Sequence, residues 1–229
     1  MTVTERNLQV AVLDMAGTTI DERGSVRVAV ESAVRQVTGG RLPDNFDDTF
    51  HSARGGAKTA MFEALLGDVY AARVAHAIFE TELIRLIGED RVQVLPGATE
   101  TINVLRSSGV KVALTTGFSA RVRQVLLTQL GWTEMVDLIL SPEDVGRGRP
   151  YPDTVLTAIL RLRAPSVQSV AVVGDTLNDL YCGTRAGASI VAGVLTGAHD
   201  KATLETAPHT HLINSIADLP AIIDSWERP

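Results

Sequence analysis

The stretch Val10-Ala11-Val12-Leu13-Asp14-Met15-Ala16-Gly17-Thr18-Thr19 decides the fold. A short, continuously apolar run bounded by turn residues is the pattern of a strand buried on both faces. A carboxylate at the C-terminal edge of such a strand, on a glycine-bearing turn, stands where open α/β sheets place their reacting groups. A carboxylate nucleophile acting on phosphate usually needs an acid nearby to protonate the leaving oxygen. The natural place to mount one is two residues on, and that place holds Ala16.

Four further strand-type runs follow outward from this one: Val110–Leu114, Met135–Leu140, Ser169–Val173 and Ser189–Val194, with a weaker run at His211–Ile213. Helical patterns separate them, at Ala98–Arg106, Ala120–Leu130 after the cap-like Ser119, Pro152–Arg161, Leu177–Ala186 and Ile216–Trp226. Strands alternating with helices predict an α/β protein, a Rossmann-like parallel sheet covered on both faces.

Between about Ile20 and about Leu95 the pattern changes, with no convincing strand and helical periodicity at Val26–Val37, Lys58–Leu66 and Val69–Ile87. A β-α-β crossover needs only about a dozen residues, so this segment reads as an inserted helical cap domain, 20–95. The core would then comprise 1–19 and 96–229. Val26, Val30, Val34 and Val37 could serve the cap's own core or a homodimer contact, the cap core being the preferred reading.

At 229 residues and 45% hydrophobic content the chain can bury a full core. A net charge of -6 with scattered Lys and Arg argues against a nucleic-acid partner. The single Cys182 cannot form an internal disulfide. With no apolar leader in 1–9 and no run near the roughly 18 apolar residues of a membrane span, the expectation is a cytoplasmic protein without a membrane partner.

Chemistry-bearing residues follow the strand ends: Asp14 after the first, Thr115-Thr116-Gly117 after the second, Gly148-Arg149-Pro150 after the third, and Gly174-Asp175 with Asp179 after the fourth. In a parallel sheet these ends converge on one edge. Asp14 and Asp175 are hard oxygen ligands suited to Mg²⁺, and Thr116 and Arg149 can hold phosphoryl oxygens as donors. Each alone has a plainer reading: Asp14 a turn residue, Thr116 a helix cap, Arg149 a solvated loop charge, Asp179 an acid favoured by the helix dipole. Their arrival at four successive strand ends favours a functional crevice.

These motifs resemble the haloacid dehalogenase superfamily of phosphoryl-transfer enzymes, over nearly the whole chain. The resemblance implies that Asp14 is a nucleophile forming an aspartyl-phosphate. It further implies that Asp14, Asp175 and the Ala16 carbonyl bind Mg²⁺, that Asp179 supports the metal shell, and that the insert is a mobile cap. Ala16 followed by Gly17-Thr18-Thr19, with Gly148-Arg149-Pro150-Tyr151-Pro152, is similar to the phosphonatase branch, the phosphonoacetaldehyde hydrolases. In that branch a cap lysine preceded by a Gly-x-x spacing forms a Schiff base, and Gly55-Gly56-Ala57-Lys58 fits the spacing. The chain departs from the branch at Met61, where a His would stand, and at Asp153, where an aromatic residue would.

The two features have one logic. Cleaving a C–P bond expels a carbanion, which an iminium on Lys58 would accept as an enamine, so no acid is needed beside Asp14. Without an aldehyde, Lys58 is a solvated charge or a phosphate contact beside Arg54. His51 and His76 read as surface or packing residues. The expected function is Mg²⁺-dependent hydrolysis of a small-molecule phosphonate. The alternatives are a phosphatase for a small phosphorylated metabolite, or a non-catalytic phosphate-binding protein.

Overall fold

The computed structural model describes residues 7–227. Its centre is β1 (Val10–Asp14), every residue of which is buried. Strands β4 (Lys111–Thr115) and β5 (Leu138–Leu140) extend the sheet on one side of β1. On the other side lie β6 (Val170–Gly174), β7 (Ile190–Val194) and β8 (His211–Ile213). The order is β5-β4-β1-β6-β7-β8 and every pairing is parallel. The chain leaves β1 toward one edge and later returns to build the other, so the C-terminal ends of β4, β1 and β6 flank a topological switch point, where such sheets open a crevice. Register sets Asp14 opposite Thr115 and Leu13 opposite Val173.

Side chains alternate across the pleat. Ala11, Leu13, Val112 and Leu114 face one apolar cluster, joined by α5 (Ala98–Ser107) and α6 (Ala120–Leu130). Val10, Val12, Ala113 and Leu140 face another, covered by α7 (Asp153–Leu162) and α8 (Leu177–Ala186). The short α9 (Lys201–Leu204) follows β7, and α10 (Leu219–Glu227) closes the chain after a 3₁₀ turn at Ile216–Asp218, where the sequence predicts one continuous helix.

Four helices lie between β1 and the second core strand: α1 (Ser25–Val37), α2 (Phe46–Ser52), α3 (Lys58–Leu66) and α4 (Val69–Gly88). On α1, Val26, Ala29, Val30, Ala33 and Val34 recur at helical spacing and are buried. They pack on α4, which contributes Ala75, Phe79, Leu83 and Leu86. Val26, Val30 and Val34 are therefore part of the chain's own core, with Val37 half-buried against it, while Val28 of the same helix is exposed.

The structure corrects two expectations about this segment. Strands β2 (Ile20–Asp21) and β3 (Gln93–Val94) form an antiparallel pair that ties its entry to its exit. Two-residue strands carry no readable periodicity, so the sequence shows none there. The helix α2 also escaped, because only Phe46 and Phe50 of its seven residues are buried. Those two rings stack with centroids 6.0 Å apart, and the Arg27 guanidinium lies over both. Among the described residues no helix is long and apolar enough to cross a membrane.

Candidate active site

The turn after β1 is built so that Asp14 points into the crevice. Met15 O accepts hydrogen bonds from the amides of Thr18, Thr19 and Ile20, and Thr19 Oγ1 donates to Asp14 O at 3.0 Å. Gly17 has φ +88°, and a Cβ there would collide with the Asp175 carboxylate. Only glycine lets the turn adopt this conformation and approach Asp175 so closely.

Asp175 follows β6. Its Oδ2 accepts from Ala198 N at 2.6 Å, while its buried Oδ1 makes no hydrogen bond among the described residues. Asp179 sits in the first turn of α8, where Oδ2 accepts from Thr176 N and Thr176 Oγ1, closing a capping box. Arg149 Nη1 donates to Asp14 Oδ1 at 2.5 Å and also to Asp179 Oδ1. The Arg149 loop is pinned from α8: Arg185 Nη1 donates to Pro150 O at 2.8 Å and Cys182 Sγ to Tyr151 O at 3.0 Å.

Carboxylate oxygens of Asp14, Asp175 and Asp179 lie within 4.8 Å of one another, and all three side chains are buried. Burial pushes the Asp14 carboxyl up to about 7, with Arg149 pulling it down and Asp179 pushing it further up. Burial, with Asp14 and Asp179 nearby, holds Asp175 well above the ordinary carboxylate range. One guanidinium does not neutralise three carboxylates out of water. An all-oxygen donor set with this excess, and an orphaned Asp175 Oδ1, fits a divalent cation.

From the opposite side the helical segment supplies cations. Lys58 opens α3, is 7% exposed, and lies with Nζ 5.9 Å from the Phe118 ring centroid. Burial lowers its pKa to about 8, reinforced by the charges of Arg149 and Arg54 and opposed by Asp14 and Glu22. Arg54 pairs with Glu22 at 3.1 Å, a carboxylate just past β2. Gly55, at φ +73°, packs so tightly on Thr176 that a Cβ there would overlap its hydroxyl.

Asp14, Ala16, Arg54, Lys58, Thr116, Gly117, Arg149 and Asp175 line one cavity of about 40 Å³. Asp179 stands behind them, reached through Arg149. Thr116 Oγ1 accepts from Phe118 N at 3.1 Å, and Gly117 lies against the carbonyl of Gly56. Met61 lines the same cavity. His51 is exposed, and His76 packs among the rings of Phe62 and Phe79. Sequence reasoning missed Glu22, which precedes the helical pattern and carries no motif. It also missed the loop after β7, where Ala198 and Thr196 reach Asp175 and the Gly17 carbonyl.

This geometry agrees with the comparisons. The haloacid dehalogenase-like hydrolase family matches residues 8–187, and the chain belongs to that family of hydrolases. A phosphonoacetaldehyde hydrolase of Parabacteroides distasonis is 32% identical over 130 residues, 56% of this chain and 48% of that protein. This chain thus aligns with about half the length of that relative. Another from Bordetella pertussis is 26% identical over 257 residues, 96% of this chain and 92% of that protein. The crystal structure of a phosphonoacetaldehyde hydrolase like protein from Oleispira antarctica superposes with a TM-score of 0.84 at 22% identity, covering 100% of this chain and 96% of that one, a likeness of fold.

Removing the Arg149 guanidinium would leave buried carboxylates facing one another without a counter-charge. Arg149→Ala should therefore lower the unfolding free energy in metal-free buffer by about 3–5 kcal/mol, read by urea denaturation. Wild-type stability in this variant would mean that the charge cluster does not form.

Proposed function

We propose that this chain is a Mg²⁺-dependent hydrolase that passes a phosphoryl group through Asp14, and that its substrate is phosphonoacetaldehyde or a closely related aldehyde phosphonate. The observation that carries the reading is Lys58, a buried amine across the cavity from Asp14 with its pKa brought to about 8, in a chain that has Ala16 where an acid would otherwise stand. The phosphonoacetaldehyde hydrolases among its relatives support the same substrate class.

In this mechanism neutral Lys58 Nζ condenses with the aldehyde carbon, the carbonyl oxygen leaves as water, and the imine nitrogen takes one proton from solvent to give the iminium. An Asp14 oxygen attacks phosphorus in line. As the C–P bond breaks, its electron pair moves into the C–C–N unit and forms an enamine on Lys58. The enamine then takes a proton at carbon, and water releases acetaldehyde from Lys58. A second water hydrolyses the acyl phosphate on Asp14, returning both side chains. No proton is needed at the leaving carbon while the C–P bond breaks, so the step does not require an acid in place of Ala16.

Asp14, Asp175 and the Ala16 carbonyl would hold Mg²⁺, which supplies charge neutralisation to the attacking carboxylate and the phosphoryl oxygens. Asp179 would act through Arg149 and Thr176, since both of its oxygens are engaged there. Thr116 and Gly117 would position the phosphoryl group, joined by Arg54 from the helical segment. Residues 20–95 would work as a mobile cap: a cavity of about 40 Å³ holds little more than a water or two, so substrate enters only when the segment swings away, and closure excludes water from the transfer step.

Incubation with Mg²⁺ and phosphonoacetaldehyde should release phosphate and acetaldehyde, and Asp14→Asn or chelation should stop it. Borohydride added during turnover should fix a reduced adduct on Lys58, and Lys58→Arg should abolish release. A lysine that only steadied phosphate would tolerate arginine with about a tenfold loss, ~1.4 kcal/mol, and yield no adduct. Release from an aryl phosphate alone would select the ester phosphatase, and no release from either substrate the binding protein.

The rate should also rise with pH through about 8, because imine formation needs the unprotonated amine. Since Arg54 helps depress the Lys58 pKa, Arg54→Gln should move that midpoint upward. A profile flat between pH 7 and 9, in that range about the Lys58 pKa where protonation of the amine changes most, would contradict the role given to the amine.

A further inference from the structure

The loop after β7, Leu195–Asp200, belongs to no motif read from the sequence, yet it wraps the turn that carries Asp175. Thr196 Oγ1 donates to Gly17 O at 2.7 Å, Ala198 N to Asp175 Oδ2 at 2.6 Å, and His199 N to Asp175 O at 3.3 Å. The half-buried His199 ring then accepts at Nδ1 from Leu177 N at 3.1 Å, the first residue of α8. With Nδ1 accepting, Nε2 carries the proton, and the ring lines a groove together with His51 at the end of α2.

His199 therefore braces the Asp175–Asp179 turn at the point where that turn meets the helical segment. Its neighbours make the crossing. Asn178 Nδ2 donates to Arg54 O at 2.7 Å, and Gly55 packs against Thr176. Thr176 and Asn178 thus form a seat for Arg54 and Gly55, and His199 braces Leu177 between them. A groove lined by Asp48, His51, Tyr181 and His199 runs along the outer side of this seam, away from the catalytic cavity.

We propose that His199 is a positioning residue that couples closure of the helical segment to ordering of the Asp175 carboxylate for metal binding. The inference rests on the metal-dependent, capped reading above. Because coupling is reciprocal, a seated segment favours the metal-ready turn and a metal-loaded turn favours the seated segment. Outer-shell partners of this kind typically tune metal affinity by about 10–100-fold. Asparagine can keep an acceptor near Nδ1 for Leu177 N–H, so it should restore what alanine loses.

The test measures Mg²⁺ binding by calorimetry and trypsin cleavage at Arg54 with Mg²⁺ and orthovanadate, on the full chain. Wild type should bind Mg²⁺ and become protected. His199→Ala should bind Mg²⁺ about tenfold more weakly and stay cleavable. His199→Asn, which keeps an acceptor for Leu177 N–H, should return both readouts toward wild type, since reciprocal coupling moves them together. Should the alanine variant fail to fold, His199→Phe, which keeps a ring without the acceptor, takes its place. An alanine variant matching wild type in both readouts, or losing only one of them, or asparagine restoring neither, would overturn the coupling while leaving the proposed function standing. A wild type that binds no Mg²⁺ would overturn the metal-dependent reading and the coupling together.

Discussion

One buried guanidinium, Arg149, held between Asp14 and Asp179 beside a third carboxylate, is the constraint around which the rest of the molecule is arranged. Charges removed from water persist only when geometry and hydrogen bonds repay their desolvation. The chain meets that demand with parts drawn from distant positions. The sheet's switch point brings the ends of β1, β4 and β6 together, the first turn of α8 saturates Asp179, and backbone bonds from α8 side chains fix the Arg149 loop. The cluster remains short of positive charge even so, and the raised pKa values of Asp14 and Asp175 express that shortage. A cation bound there would offset that shortage.

The helical segment answers with the opposite sign. It carries Lys58 and Arg54 to the cavity, with Glu22 restraining the guanidinium. Burial, with the nearby charges of Arg149 and Arg54, keeps the Lys58 amine easier to deprotonate than a surface lysine. The electrostatics of the two halves are thus complementary: carboxylates gathered on the sheet face an amine and a guanidinium brought by the helical segment. Thr176 and Asn178, which meet Gly55 and Arg54 of the helical segment, belong to the turn that follows Asp175.

The sheet was legible because buried parallel strands announce themselves as short apolar runs, and because Asp14, Thr116, Arg149 and Asp175 follow four of them in order. Three physical reasons explain what was not. Strands β2 and β3 are two residues each, too short for any period. The helix α2 buries only Phe46 and Phe50 and otherwise reads as a polar loop. Glu22 and His199 act through backbone contacts and pairings made only after folding, and neither sits at a spacing that marks chemistry. Lys58 lies between: its place before an apolar helix was visible, but its burial and its depressed pKa arise from side chains distant in sequence.

A crystal structure with Mg²⁺ and trifluoroberyllate would test the central claim most directly. The account predicts beryllium bonded to an Asp14 carboxylate oxygen, Mg²⁺ shared between Asp14 and Asp175, and Lys58 facing the fluoride pole opposite Asp14. Trifluoroberyllate on any other side chain, or a metal seated away from both aspartates, would contradict it.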